Sequence, residues 1–169
     1  MAIDLVGLES VAPEAIVALH ADPQVRRHLP LATDDFDLAA CREWIIHKRA
    51  LWDRHGYGPW AILVDGAFAG WGGLQPEGGE PDLALVLSPR HWGQGPAIVR
   101  HMLHWAFECR RLPAVTALLP LSRVRQGGMQ RLGFEACGQY QLGAARFVRY
   151  RLRAADCPGI TAPCGEPLR

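Results

Sequence analysis

LALVLSPRHWGQGPAI, residues 83–98, is an apolar strand that breaks at a proline and runs through a glycine turn into the start of a helix. Leu83, Leu85, Val86 and Leu87 form the nearly continuous apolar run of a strand covered on both faces. Pro89 ends the pairing because it has no N–H to donate. Gly93 and Gly95 allow a tight turn, Pro96 suits the first helical position, and Ala97 begins the helix. Unpaired N–H groups and the positive end of the helix dipole then converge on one spot, which favours an anion such as phosphate. A lone Gly-x-Gly also serves as a plain connection, so its neighbours carry the rest of the reading.

Upstream, Trp60 to Val64 and Ala67 to Leu74 flank Asp65-Gly66, the signal of a two-residue hairpin. Residues 2–7 read as a first strand and Pro13 to His20 as a short helix. Asp34 to Arg54 is a longer helix, with acidic residues in its first turn and Gly56 to close it. Gln75 to Pro81, rich in glycine and proline, reads as a loop. Downstream, Ala97 to Arg111 has a broad apolar face, with His101, His104, Glu108 and Arg111 opposite, on the side expected to meet solvent rather than metal. Val115 to Leu119 is a strand, and Ser122 caps a helix to Leu132 whose Gly127-Gly128 pair is unfavourable. Glu135 to Gln141 and Arg146 to Arg153 are the closing strands. The tail 154–169 lacks periodicity and is expected to be disordered.

Size and charge limit the function classes. At 169 residues, 49% of them hydrophobic, the chain makes one domain, expected over residues 1–153. Eighteen basic against seventeen acidic residues provide no global field for nucleic acid or an anionic membrane. No segment reaches the roughly 18 apolar residues of a membrane span and no leader opens the chain, so a cytoplasmic protein is expected. Five cysteines without CxxC spacing fit neither a zinc ribbon nor a disulfide framework, and reduced thiols are expected.

Hairpin, strand, glycine turn, helix, strand, helix ending in Leu-Gly-Phe and two closing strands together resemble the GNAT superfamily of N-acetyltransferases, in particular its RimJ/RimL-type branch. Gly58-Pro-Trp-Ala-Ile-Leu with Gly70-Trp-Gly-Gly-Leu, then residues 82–97, then Arg131-Leu-Gly-Phe134 carry the likeness over roughly residues 8–153. It implies an α/β (α+β) domain whose mixed, mostly antiparallel sheet is splayed at an acetyl-CoA site and flanked by helices. It further implies that backbone from Gly93 through Gln94, Gly95, Pro96, Ala97 and Ile98 holds the CoA pyrophosphate. Leu85, Val86 and Leu87 would meet the pantetheine arm and acetyl group. Pro96 removes one donor from that cradle.

The implied reaction moves an acetyl group from thioester to amine. It needs a base for the amine, a donor for the thioester oxygen and a proton for the leaving thiolate. Asp82 matches an acidic position of the branch and is the candidate base, its other reading being a solvated strand end. Asp34, Asp35 and Glu43 lie on the helical region that lines the acceptor site in relatives, and Asp34 and Asp35 equally read as capping acids. His47 and His55 are candidates by chemistry alone. Many relatives carry Asn-x-x-Ser and then a tyrosine near the thiolate, where this chain has Ser122, Arg125 and Met129. Ser122 can still serve the CoA arm or sulfur, or simply cap its helix. Met129 cannot donate a proton, so Tyr57 or Tyr140 would have to replace it. Arg123, Arg125 and Arg131 suit the adenosine phosphates, and Trp44, Trp52, Trp60 and Trp71 suit core or pocket wall. The acceptor is expected to be a primary amine on a small molecule, with a protein N-terminus as the enzyme alternative and a non-catalytic acyl-CoA-binding domain as the other class. No metal is called for, and the branch admits a homodimer.

Overall fold

The computed structural model describes residues 1–124 and 127–159. Its strands are β1 (Ile3–Val6), β2 (Pro59–Val64), β3 (Ala67–Glu77), β4 (Glu80–Leu87), β5 (Ala114–Pro120), β6 (Glu135–Leu142) and β7 (Ala145–Arg153). Its α-helices are α1 (Pro13–Ala21), α2 (Pro23–Arg26), α3 (Leu38–His55), α4 (Gly95–His104), α5 (Leu121–Val124) and α6 (Gly128–Arg131). The strands form a seven-stranded mixed, mostly antiparallel sheet in the order β1-β2-β3-β4-β5-β7-β6. The chain divides into two compact units, one of Met1–Gln75 with Ala84–Gly93, the other of Pro76–Leu83 with the described residues from Gln94 onward.

In the first unit β1 and β3 flank β2, both antiparallel. Asp65 and Gly66 turn the hairpin with φ of 50° and 80°, the positive pair a tight two-residue turn requires. Gly70 sits where β3 passes β4: a Cβ there would lie 2.0 Å from the Val86 carbonyl oxygen, so no other residue fits. Leu8, Ile16, Leu19, Val25, Cys41, Ala61, Trp71 and Val86 make the core, against which Phe36, Trp44, Ile45 and Ala84 pack. The long helix starts later than the acidic run suggests. Asp37 caps it, its carboxylate accepting from Ala40 N–H at 2.8 Å, and Gly56 closes it at φ 69°. Asp34 instead pairs with Arg26, and Asp35 is exposed.

In the second unit β7 lies between β5 and β6, antiparallel to both. Its core is built by Ile98, Met102, Leu103 and Phe107 from the helical side and Val115, Phe134, Tyr150 and Leu152 from the sheet and its turns. The stretch read as a loop at Gln75–Pro81 is a second hairpin: β3 runs to Glu77, Gly78 and Gly79 turn at φ 58° and 81°, and β4 begins at Glu80. Glycine richness there marks the turn alone, while the strands extend through Pro76 and Pro81. After α4 the chain loosens into a π turn at Trp105–Cys109, with Arg110 N–H donating to Trp105 O.

Three further expectations differ from the structure. The helix read from Ser122 to Leu132 is two short pieces, α5 and α6, and Gly127 at φ 62° precedes the second. Two glycines cannot hold a helix together without packing to offset their entropy. His104 turns inward, with both ring nitrogens buried and lacking a hydrogen-bond partner. Ala154–Asp156 forms a 3-10 turn tied back by Ala154 N–H to Pro113 O, so the first part of the tail is ordered. Residues 160–169 lie outside the described residues. Cys41, Cys137 and Cys157 are free thiols, while Cys109 is disulfide-bonded, against the expectation of thiols throughout.

Candidate active site

The glycine turn is a 3-10 turn over Pro89–Gln94 that passes directly into α4. Two side chains fix it. Trp92 donates its indole N–H to Leu87 O at 2.9 Å, and Ser88 Oγ lies 2.7 Å from His91 Nδ1. Trp92 therefore ties the turn to the end of β4. The N–H groups of the first helical turn have no acceptor within α4, and Pro96 removes one of them. Gly93 is exposed, and a Cβ built on it would meet nothing within 4 Å, so the space before the helix is open. Gln94 Oε1 is buried without a donor, an acceptor that an amide or hydroxyl of a bound ligand would satisfy. The orphan acceptor of Gln94 beside the uncrowded Gly93 is compatible with a ligand that carries amides, as CoA does.

The structure places the remaining expected cofactor contacts as follows. Val86, Leu87 and Ile98 are buried, Leu85, Gly95 and Ala97 half-buried, and Pro96 exposed. Ser122 is the second residue of α5 and exposed, so it does not cap a helix from Ser122 to Leu132. That short helix starts at Leu121, directly after Pro120 ends β5. Arg125 lies outside the described residues.

For Asp82 the structure changes the environment that its position in the sequence suggests. Rather than a solvated strand end, it is 4% exposed. The β4–β5 ladder among the described residues is the single parallel pair Asp82↔Thr116. Thr116, fully buried, donates its hydroxyl to Asp82 Oδ1 at 2.7 Å. Burial pushes the Asp82 carboxyl up to about 6, and the negative charge of Glu77 adds to the rise. The Thr116 hydroxyl and Arg149 oppose it. Tyr140 donates to Glu77 Oε1 at 3.1 Å, and that bond is the first cause that raises its own pKa. Glu80 holds Arg149 and Arg151 at 3.0 and 2.9 Å. In the second unit Asp82 is thus hydrogen-bonded to Thr116 and feels the charge of Glu77, which in turn accepts from Tyr140.

Sequence reasoning missed Thr116 and Glu77, one hidden in an apolar strand and the other in a stretch read as loop. The signal for Thr116 was a lone hydroxyl in Ala-Val-Thr-Ala-Leu, which needs a buried acceptor. Other candidates are elsewhere. His47 and Glu43 are exposed, and His55 is exposed and stacks on Tyr57 at 5.5 Å. Tyr57 and Met129 are buried. Among the described residues no group of three or more His, Cys, Asp or Glu could hold a metal, and no helix is long and apolar enough to cross a membrane.

The mixed seven-stranded sheet, with β4 leading through a 3-10 turn into α4, is an α/β fold. Residues 5–135 match the family described as the acetyltransferase (GNAT) domain, and the chain belongs to that family. Solved structures share the fold at low identity. A protein described as a GNAT-family acetyltransferase from Bordetella pertussis is 16% identical, covering 88% of this chain and 94% of its own, with a TM-score of 0.73. An acetyltransferase from Agrobacterium tumefaciens is 20% identical, with 89% and 90% covered and a TM-score of 0.71. Spermidine N-acetyltransferase from Vibrio cholerae, solved with CoA and spermine, is 10% identical, with 92% and 96% covered and a TM-score of 0.71.

Proposed function

We propose that this enzyme transfers the acetyl group of acetyl-CoA directly to a primary amine of a small molecule, that it is of the RimJ/RimL type, and that it works in the cytoplasm with residues 1–153 as its catalytic domain. The observation that carries the reading is Asp82, a buried carboxyl with its pKa near 6 on the strand that leads into the glycine turn. A carboxylate of that pKa is ionised at neutral pH and can accept the proton that the nitrogen sheds once the free amine has attacked the thioester carbon and become acidic. The nitrogen attacks the thioester carbon, the C–S bond breaks, and the CoA sulfur leaves with the electron pair and receives a proton. Backbone N–H groups near Val86 and Leu87 would stabilise the thioester oxygen. The proton would reach Asp82 through water. Ser122 and Arg125 are retained as proposed CoA contacts, and Ser122 as a proton donor to sulfur. Tyr140, held by Glu77, belongs to the base network.

Calorimetry with CoA followed by thiol release from acetyl-CoA with panels of amines and of peptides tests this reading. CoA binding with turnover on small amines is expected. Turnover on peptides alone would shift the acceptor to a protein N-terminus, and no binding at millimolar CoA would overturn the proposal.

A further inference from the structure

The first unit holds a cluster that the proposed chemistry does not use. The His20 ring stacks on Phe36 at 4.5 Å and on Trp71 at 6.0 Å, and meets the edge of Trp44 at 5.8 Å. Trp71 donates its indole N–H to His20 Nε2 at 2.8 Å. An acceptor at Nε2 places the ring proton of neutral His20 on Nδ1. Burial keeps the ring neutral, pulling its pKa down to about 4. His20 Nδ1 has no hydrogen-bond partner among the described residues and is not fully buried.

Lys48 points at the same rings. Its Nζ is 5.8 Å from the centroids of both Trp44 and Trp71, and donates to Gln75 Oε1 at 2.8 Å. Among the described residues no carboxylate pairs with it, although Arg26 and Arg49 in the same unit each have one. Burial lowers its pKa. A half-buried ammonium with one neutral acceptor carries a desolvation cost that two indole faces offset only in part. Two of its N–H donors meet no acceptor among the described residues, and an anion seated there would offset that cost. Trp71, Trp44 and Phe36 belong to the cluster that also packs against Ala84 and Val86 of β4, the strand proposed to receive the acetyl group.

We propose that Lys48 and His20, walled by Phe36, Trp44 and Trp71, bind an anionic group on the acceptor, so that the acceptor is an amine carrying a carboxylate or phosphate on an apolar body. A polyamine would bring a second cation against Lys48 and is disfavoured. The acceptor assignment rests on the acetyl-transfer reading, whereas the anion site stands on the cluster alone.

Two measurements on the full chain separate these claims. The first is indole fluorescence titrated with phenylacetate and with phenyl phosphate, which needs no catalysis. A saturable change is expected with one of them, and the better ligand identifies the anion. Lys48→Gln should weaken it about tenfold or more, the loss of a charge-assisted bond, and Lys48→Arg should retain most of it. The second is thiol release with acetyl-CoA and matched pairs, phenylalanine against phenethylamine, lysine against cadaverine and phosphoethanolamine against ethanolamine, with spermidine alongside. The anionic member should have the higher kcat/KM by about tenfold, an advantage lost through KM in Lys48→Gln while CoA binding is kept. No saturable response to either probe, or the same response in Lys48→Gln, overturns the anion site. Equal rates within every pair, or preference for spermidine, overturn the acceptor assignment. Anion binding without thiol release on any amine overturns the acetyl-transfer reading and leaves the anion site intact.

Discussion

Replacing Asp82 by asparagine should make the protein more stable at pH 8 relative to its stability at pH 4, while removing its turnover. The Asp82 carboxyl titrates near 6 in the fold against 3.8 for an ordinary aspartate, because burial disfavours its charged form. The folded chain therefore binds the proton more tightly than the unfolded chain. Stability from this group is full below about pH 3.8, falls as pH rises toward 6, and is constant above. At about 1.4 kcal/mol per pH unit the whole loss is about 3 kcal/mol, of which about 2.5 kcal/mol falls between pH 4 and pH 8. The asparagine of the Asp82→Asn variant does not titrate and offers Thr116 the same oxygen acceptor. Its extra N–H groups shift stability by an amount that does not depend on pH, so comparing two pH values cancels that term. Urea unfolding of both proteins at pH 4 and pH 8 should show the difference between variant and wild type growing by about 2.5 kcal/mol in favour of the variant. Wild-type kcat/KM should rise through a pKa near 6, and the variant should lose about 100-fold or more. Parallel pH dependences of stability would refute the desolvation of Asp82, and unchanged turnover across pH would remove it from the mechanism.

Three other outcomes follow from the same structure. His20→Phe should reduce acid sensitivity: with a folded pKa near 4 against 6.5, wild type loses up to about 2.4 kcal/mol between pH 7 and pH 4.5, less whatever solvent screening removes, and the variant does not, as thermal melts at those two pH values would show. Gly70→Ala should cost more than about 3 kcal/mol, read as loss of soluble protein or a large drop in Tm, since its Cβ would lie 2.0 Å from Val86 O at φ 155°. Gly93→Ala should change stability by less than about 0.5 kcal/mol, because nothing lies within 4 Å, and weaken CoA binding in calorimetry if a ligand fills that space.

Local rules account for much of the fold. The Asp65-Gly66 hairpin, the strand before Ser88, the turn at Gly93 and the helix after it were all legible, because their geometry is set by residues adjacent in the chain. Readings failed where a residue's role depends on something distant. Asp34 and Asp35 look like capping acids, yet Asp37 caps α3, a choice fixed by where the helix begins packing. His104 has a polar side chain at a position that periodicity assigns to solvent, and the packing turns it inward. Gly78-Gly79 and two prolines suggested a loop, but strand pairing overrides the low propensity of Pro76 and Pro81.

The sequence alone determined the course of the backbone from β4 through the glycine turn into α4, since an apolar strand, glycine and proline in that order leave few alternatives. It also named Asp82 as a candidate without giving it a pKa. Whether a carboxylate is a surface acid or a base depends on its solvation and on groups far away in the chain: Thr116 lies 34 positions on and Glu77 acts on Asp82 from another strand. The same holds for Lys48, a plain helix lysine in the sequence, whose charge lies over Trp44 and Trp71 only because α3 and β3 are folded together. Backbone shape is encoded locally, whereas the energy of a charge is set by everything around it.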